Sequence, residues 1–265
     1  MKPRVIIPTG EGINSEKELR RCFEWAGADV DYILWLELRD NPKVLDEYQG
    51  MGGAGGFAMG DQLGAGQSLA NRVQQSDLYE KLREKLEDPG FPTYFVCNSW
   101  QMLAKLNLLP VKVGTTQNDS GKHETSYWDV EVNGNNDSPW LKYLKDYEGP
   151  IFAPISHGEG RVWIPERDLI TVDIKNLIAL QYVPGHIREW LKPGEGERYN
   201  PNGSVDDIAG LAWNGNLALF PHFERLHHDY QRPDRAQVAR EKGTCKGFYE
   251  PTAMLFKAAV EHMKK

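Results

Sequence analysis

The chain has 265 residues, of which 40% are hydrophobic and 26% are charged, the balance of an ordinary globular protein. Its formal net charge of −7 argues against a general nucleic-acid binder and against a protein that attaches to anionic membranes. No apolar run approaches the roughly 20 residues that span a bilayer, and the apolar run before Pro8 is too short for a signal peptide. The three cysteines, Cys22, Cys97 and Cys245, form no C-x-x-C pair, which favours free thiols in the cytoplasm.

The N-terminal segment predicts a strand, a helix and a second strand. Residues 4–8 (RVIIP) predict a short buried strand, and Ser15 followed by Glu18 predicts a capping box at the start of a helix. Cys22 falls on the apolar face of this helix, so we expect it to be a packing residue. Residues 29–36 (DVDYILWL) predict the second strand. This order favours a parallel sheet with helices on both faces.

The remaining segments predict a larger α/β domain. A glycine-rich stretch, residues 49–66, precedes one long predicted helix over residues 67–88, and residues 107–121 are predicted to form a loop. Close-set strands in the second half predict an antiparallel extension of the sheet; they lie in the segments SYWDVEV, GPIFAPIS, RVWI, IALQYV, IAGLAW and LALFPH. The last helix is predicted over residues 251–265. Without a linker or a repeat, we expect a single domain over residues 1–265, with 226–265 as a C-terminal helical extension that packs on the core or on a partner.

Cys97 lies at a predicted strand-to-helix turn, in the segment TYFVCNSWQML. The N-terminus of a helix supplies a field that lowers the pKa of a thiol, and such a turn pushes its side chain out of the sheet, as in a nucleophile elbow. Cys245, in the loop REKGTCKGF, lacks this placement. Because buried cysteines are common in protein cores, position alone leaves two interpretations of Cys97, a nucleophile and a packing residue.

A thiol nucleophile needs a base, and two histidines are placed to be one. His157 and His222 each end a predicted apolar strand, and each is followed two residues later by an acid, Glu159 and Glu224 respectively. An acid so close can fix the tautomer of the imidazole, but on spacing alone a local surface pair is the more common arrangement for His222 and Glu224. The run HFERLHHDY contains no H-E-x-x-H, so we predict no metal site.

The glycine-rich stretch contains a G-x-G-x-x-A pattern at residues 53–58, a loose form of the dinucleotide-binding fingerprint. The pattern follows the third predicted strand rather than the first, and no acidic residue ends a strand about 20 positions later. The chain also lacks a P-loop, so it shows no ATP site. The better interpretation is a close approach of backbone N–H groups to an oxyanion.

Five motifs then occur in order along the chain: GGFAMGD (Gly55–Asp61), CNSWQ (Cys97–Gln101), SHGEGR (Ser156–Arg161), PNGSVDDIAG (Pro201–Gly210) and PHFER (Pro221–Arg225). Together they resemble the glutaminase subunit of phosphoribosylformylglycinamidine synthase, a class I (triad-type) glutamine amidotransferase of purine biosynthesis. The resemblance covers most of the chain up to Arg225. It implies a three-layer α/β fold with a mostly parallel central sheet, helices on both faces and an antiparallel extension.

The resemblance implies a role for each motif residue. Cys97 would attack the side-chain amide of L-glutamine and form a γ-glutamyl thioester, His222 would transfer protons, and Glu224 would orient His222. The remaining implied sites are an oxyanion hole made by backbone N–H groups at Gly56 or Phe57 and at Asn98, and substrate contacts at Gln101, His157 and Glu159.

The resemblance also implies a partner. In this family the ammonia passes to an ATP-dependent synthetase subunit, with or without a small accessory subunit, which converts formylglycinamide ribonucleotide to its amidine. ATP and Mg²⁺ would then belong to the synthetase, and we expect no cofactor in this chain.

Several residues depart from the family pattern. Phe95 and Ser99 stand where the family has glycine, Phe223 stands where it has proline, and the strand before GGF, residues 49–54 (QGMGGA), has weak β-propensity. Two alternatives therefore stay open: a divergent class I amidotransferase that serves another acceptor, and a catalytically silent docking or regulatory subunit.

Overall fold

The computed structural model describes residues 1–166, 174–191 and 198–265. The strands are β1 (Arg4–Thr9), β2 (Asp29–Leu34), β3 (Gly50–Gly53), β4 (Thr93–Val96), β5 (Gly114–Thr116), β6 (Glu124–Val132), β7 (Phe152–His157), β8 (Arg161–Trp163), β9 (Ile178–Tyr182), β10 (Ile208–Trp213) and β11 (Asn216–Leu219). The helices are α1 (Glu16–Trp25), α2 (Trp35–Asp40), α3 (Gln67–Gln74), α4 (Leu78–Glu87), α5 (Asn98–Leu106), α6 (Ile174–Leu177), α7 (His186–Leu191), α8 (Arg235–Lys242) and α9 (Glu250–His262).

A nine-stranded sheet runs through the molecule in the order β2-β1-β3-β4-β11-β10-β9-β6-β7. The pairs from β2 to β11 are all parallel, and the pairs from β11 to β7 are all antiparallel. Strands β5 and β8 form a separate antiparallel pair. The predicted α/β fold with a parallel sheet and an antiparallel extension is confirmed.

Both faces of the sheet are covered by helices. Successive side chains of a strand point to opposite faces, so a strand with buried residues throughout has apolar side chains on both faces that helices must cover. On one face, Phe23 of α1 and Phe256 of α9 pack edge to face at 5.0 Å against a cluster that includes Tyr94 of β4. On the other face, Phe95 of β4 packs in a cluster with Trp100 of α5 and with side chains of α3 and α4. Strand β4 is thus buried on both sides.

A tight hairpin joins β10 to β11, and β11 lies beside β4 in the sheet. Asn214 and Gly215, between β10 and β11, both have positive φ, 43° and 83°, which is the requirement of the type I′ turn that suits a two-residue hairpin. Strand β11 then runs parallel to β4, with Leu219 opposite Val96. The residues that follow these two strands therefore leave the same edge of the sheet side by side.

Three predicted boundaries are wrong. The predicted strand 29–36 ends at Leu34 and continues as α2, in which Trp35 and Leu38 are buried at helical spacing. The predicted helix 67–88 is two helices, because the Ser76 hydroxyl donates to Val73 O at 2.8 Å and competes with the helical pattern. Strand β5 lies within the predicted loop 107–121, where it pairs with β8.

The predicted capping box at α1 does not form. Ser15 precedes the helix but its side chain makes no capping hydrogen bond. Its Oγ instead accepts a hydrogen bond from the N–H of Gly55 at 2.9 Å, and both groups are buried. The serine therefore connects the start of α1 to the glycine-rich loop.

The C-terminal segment, residues 226–265, contains α8 and α9, and α9 packs on the core of this chain. Leu255, Phe256 and Val260 are buried on the same face of the sheet as α1. The Thr252 hydroxyl lies 2.7 Å from Leu226 O and also contacts a second carbonyl of the same turn. Among the helices that the structure describes, none is long and apolar enough to cross a membrane.

Candidate active site

Cys97 occupies a strained turn between β4 and α5. Its φ of 54° and ψ of −108° are unfavourable for a residue with a side chain, at a cost of about 1–3 kcal/mol. The Cys97 N–H donates to Leu219 O at 2.9 Å. The Ser99 hydroxyl lies 2.6 Å from Gly53 O and accepts from the N–H of Val96 at 3.0 Å. These bonds hold the turn in the form of a nucleophile elbow.

The thiol of Cys97 is protonated at neutral pH. The side chain is almost buried, and burial raises its pKa to about 12, although the charge of Arg225 and the N–H of Asn98 act in the opposite direction. The Sγ atom lies 3.6 Å from Ser156 O, within reach of a weak S–H hydrogen bond. To act as a nucleophile, this thiol needs a base beside it.

His222 and Glu224 form a buried pair directly after β11. The His222 N–H donates to Pro154 O at 2.7 Å, and its Nδ1 lies 2.5 Å from Oε1 of Glu224. Burial acts to raise the pKa of Glu224, but the charge and hydrogen bond of His222 together with the charge of Arg225 hold that pKa below its usual range. The carboxylate thus fixes the proton on Nδ1, and the buried Nε2 has no hydrogen-bond partner within the described ranges.

The surroundings of Gly55 show that the side chains of Cys97 and His222 lie close together. A Cβ built on Gly55 would be 2.7 Å from Cε1 of His222 and 3.4 Å from Cβ of Cys97. Both side chains therefore approach a single point that only a glycine leaves empty. The structure brings Cys97, His222 and Glu224 together.

Within the described ranges, the backbone N–H groups of Gly56 and Asn98 have no backbone acceptor and can face an oxyanion. Gly56 forms an isolated antiparallel bridge with Ile13, and the bonds that flank it leave the Gly56 N–H directed away from that segment. The Phe57 N–H, in contrast, donates to Gly12 O at 2.8 Å. The N–H of Asn98 is the first of α5 and faces the Cys97 sulfur. Of the two positions predicted in the glycine-rich loop, the geometry favours Gly56 over Phe57.

Gln101 lies on α5 and is buried against the neighbouring loops. Its Nε2 donates to the backbone O of Glu159 at 2.9 Å, and its Oε1 accepts from Nδ2 of Asn98 at 3.3 Å. The same Asn98 amide also donates to Asp61 at 3.0 Å. Gln101 therefore connects the nucleophile helix to the segment that carries Glu159.

His157 and Glu159 do not form a pair. Nδ1 of His157 lies 3.1 Å from Oδ1 of Asn118, an oxygen that also accepts from the N–H of Gly160. The Asn118 oxygen is thus an acceptor, and the proton lies on Nδ1 of His157. Burial lowers the pKa of His157 to about 3, so the ring is neutral and its Nε2 is an acceptor that has no partner among the described residues. The carboxylate of Glu159 instead lies 3.4 Å from the N–H of Ala65.

Phe95 and Ser99, which differ from the family pattern around Cys97, are accommodated by the glycine on the neighbouring strand. A Cβ on Gly53 would overlap the ring of Phe95 and would lie 2.9 Å from Cβ of Ser99. The ring of Phe95 on β4 therefore occupies the space that Gly53 of β3 leaves empty. Glycine lowers the β-propensity of β3, but it is the residue that leaves room for this ring. Phe223 is fully buried, and its N–H donates to Pro221 O at 3.2 Å.

Sequence reasoning missed Tyr94. This residue lies on β4, three positions before Cys97, and its hydroxyl donates to Oε2 of Glu224 at 2.9 Å. No motif marks it. The one available signal is general: a tyrosine in a buried strand needs a hydrogen-bond partner for its hydroxyl.

In the part of the chain that the structure describes, no group of three or more histidine, cysteine, aspartate and glutamate side chains is placed to hold a metal ion. The site is a thiol, an imidazole and a carboxylate beside free backbone N–H groups.

This site and the mixed sheet that carries it define the class of protein. The family model of the CobB/CobQ-like glutamine amidotransferase domain matches residues 2–263, and the chain belongs to that family. Within it, the chain is 31% identical to a protein of Treponema denticola named phosphoribosylformylglycinamidine synthase subunit PurQ, over 91% of this chain and 95% of that protein. It is 28% identical to the protein of the same name from Methanococcus maripaludis, over 99% of this chain and 98% of that one.

A solved structure shows the same fold. The chain matches a chain of the structure of PurLQS from Thermotoga maritima with a TM-score of 0.71 and 24% identity, over 99% of this chain and 100% of that one. The resemblance that the motifs predicted is confirmed.

Proposed function

We propose that this chain is the glutaminase subunit of a phosphoribosylformylglycinamidine synthase. It hydrolyses L-glutamine to glutamate and ammonia and delivers the ammonia to an ATP-dependent synthetase subunit that makes formylglycinamidine ribonucleotide. The observation that carries the proposal is the buried arrangement of Cys97, His222 and Glu224 where β4 and β11 end. The names of relatives that match the chain from end to end support the choice of acceptor. Three free cysteines favour the cytoplasm.

In the first step, Nε2 of His222 removes the thiol proton while Sγ of Cys97 attacks the side-chain amide carbon of glutamine. Glu224 stabilises the imidazolium that forms, as the acid of a triad does. The negative charge that develops on the amide oxygen is met by the N–H groups of Gly56 and Asn98, and the loss of one such donor typically lowers kcat by about 10²–10³.

In the second step, the imidazolium of His222 gives its proton to the amide nitrogen, the C–N bond breaks, and ammonia leaves. The acyl group stays on Cys97 as a γ-glutamyl thioester. His222 then removes a proton from a water molecule that attacks the thioester, and the proton returns to the sulfur as glutamate departs. Each turnover therefore consumes one glutamine and one water, and the thiol is restored.

Substrate contacts are assigned to the residues beside the thiol. His157 directly follows Ser156, whose carbonyl contacts the Cys97 thiol, and its unpaired acceptor nitrogen suits an N–H of the glutamine carboxamide. The carboxylate of Glu159 suits the α-ammonium group. Gln101 holds the Glu159 segment against α5.

No cofactor is assigned to this chain. ATP and Mg²⁺ act on the synthetase subunit in this proposal, which also admits a small accessory subunit in the complex.

The test compares two nitrogen sources in the complex with the synthetase. Cys97→Ala should abolish amidine formation from glutamine and preserve it from ammonium. Cys245→Ala, a matched change in a loop away from the site, should leave both reactions unchanged. If Cys97→Ala still releases glutamate at the wild-type rate, the mechanism is wrong.

The two alternatives give different results in the same assay. A silent docking subunit would release no glutamate in either form while still binding the synthetase. A divergent amidotransferase would release glutamate in a Cys97-dependent way but would not support amidine formation from formylglycinamide ribonucleotide.

A further inference from the structure

The acid of the triad has two carboxylate oxygens, and only one of them contacts His222. Oε1 of Glu224 bonds Nδ1 of His222, whereas Oε2 accepts a hydrogen bond from the hydroxyl of Tyr94 at 2.9 Å. Glu224 and Tyr94 are both completely buried. A carboxylate that cannot reach water needs donors on both oxygens, because an unsatisfied buried charge is strongly unfavourable.

The hydroxyl of Tyr94 is a permanent donor. Burial and the charge of Glu224 both raise the pKa of Tyr94 well above its usual value. The phenol therefore keeps its proton at neutral pH, and the hydrogen bond runs from tyrosine to carboxylate.

The ring of Tyr94 is held rigidly. It packs against Trp140 at 5.5 Å and against Phe256 of α9 at 5.1 Å, between ring centroids. Tyr94 also lies on β4, the strand that leads into Cys97. The backbone that positions the sulfur therefore also positions the hydroxyl that bonds Glu224. A side chain with locked neighbours can fix the rotation of a carboxylate.

We propose that Tyr94 is a positioning residue of the triad: its hydroxyl holds Oε2 of Glu224 so that Oε1 faces Nδ1 of His222. The inference rests on the proposed glutaminase function. Tyr94 acts on His222 through Glu224, which bonds both residues.

Removing the hydroxyl has two consequences. The carboxylate loses the side-chain donor on Oε2, so it no longer holds the imidazole in a single orientation. It also becomes more basic, because a donor that stabilised its negative charge is gone. A more basic carboxylate stabilises the imidazolium, so the apparent pKa of the triad, seen as the acidic limb of the pH–rate profile, moves to higher pH. The other titratable groups around the pair are Arg225, Cys22, Cys97, His157 and His227.

The experiment uses the full chain in complex with its synthetase and follows glutamate release against pH. Tyr94→Phe should lower kcat by about 10- to 100-fold, the range for a lost hydrogen bond to a charged group, with KM little changed and the acidic limb at higher pH. Tyr48→Phe is the matched control, since its hydroxyl also donates to a carboxylate, Oδ2 of Asp31 at 3.1 Å, in a partly exposed position. The control should retain wild-type kinetics.

A double-mutant cycle shows whether Tyr94 acts through Glu224. In a Glu224→Gln background, Tyr94→Phe should have almost no further effect on kcat. Additive losses, or a Tyr94→Phe enzyme with a wild-type pH profile, would overturn the inference. If the wild-type complex releases no glutamate at all, the proposed function itself has failed, and that result is distinct from an active wild type with an unaffected Tyr94→Phe.

Discussion

Gly55 gives the sharpest test of the distance between thiol and imidazole. The substitution Gly55→Ala adds one methyl group at the point that Cys97 and His222 both approach. The backbone tolerates it, since Gly55 does not have a positive φ. The substitution therefore acts through steric overlap with the neighbouring side chains and not through backbone strain.

The magnitude follows from the contact distances. The new Cβ would lie 2.7 Å from Cε1 of His222, whereas ordinary van der Waals contact begins at 3.4 Å. The imidazole must retreat by about 0.7 Å, and its bonds to Glu224 and to Pro154 O oppose that movement. Because a misplacement of about 1 Å at a reacting group costs about 10²-fold in rate, we expect kcat to fall by between one and two orders of magnitude. Overpacking should also lower the free energy of unfolding by about 1–3 kcal/mol.

The assay measures glutamate release by the complex with the synthetase, together with thermal unfolding of the isolated chain. Gly134→Ala is the control, because a Cβ there would meet no atom within 4 Å. Gly134→Ala should leave both kcat and stability unchanged. A Gly55→Ala enzyme with wild-type kcat would refute the inferred proximity of Cys97 and His222.

Three further predictions concern the packing and chemistry around the elbow. Gly53→Ala should lower the free energy of unfolding by about 1–3 kcal/mol in a denaturant titration, because the methyl overlaps the Phe95 ring. The same change should cost much less in a Phe95→Ala background, where that ring is absent; equal costs in the two backgrounds would contradict this packing. The alkylation rate of Cys97 in the isolated chain should still rise about tenfold per pH unit up to about pH 10, because burial raises its pKa to about 12; a plateau near neutral pH would show an ionised thiol. Thr252→Val should lower both the melting temperature and kcat, since a lost buried hydrogen bond costs about 1–3 kcal/mol and this one supports the turn that carries the triad acid; Thr125→Val at an exposed position is the control, and equal effects of the two would argue against that support.

The strand-to-helix turn at Cys97 could be predicted from the sequence because its geometry is local, whereas the role of Cys97 as a nucleophile depended on the motifs of the family. An apolar strand that ends on Cys97 and passes directly into a helix leaves the chain few other conformations. The choice between His157 and His222 was different, since both end a strand and both precede a glutamate by two residues. The structure separates them through a residue remote in sequence: Asn118 takes Nδ1 of His157, whereas Nδ1 of His222 bonds the acid two residues on.

Two other differences between prediction and structure also arise from a hydrogen-bond partner that is remote in the sequence. Ser15 has the sequence of a helix cap, yet its Oγ accepts from Gly55, forty positions away. Tyr94 looks like a core residue because its partner, Glu224, comes from another strand end. In both cases the competing partner is brought in by tertiary structure, and intrinsic preferences near the residue carry no information about it.

Strand β4 connects these observations. Its side chains alternate between the two faces of the sheet, so Phe95 on one face fills the space that Gly53 leaves open, while Tyr94 on the other face reaches Glu224. The two residues therefore act on different sides of β4: Phe95 fills the space beside β3, and Tyr94 donates a hydrogen bond to the carboxylate of Glu224. The unusual residues near Cys97 thus form a compensated set that preserves the geometry of the site, which argues for an active enzyme rather than a subunit that has lost its chemistry.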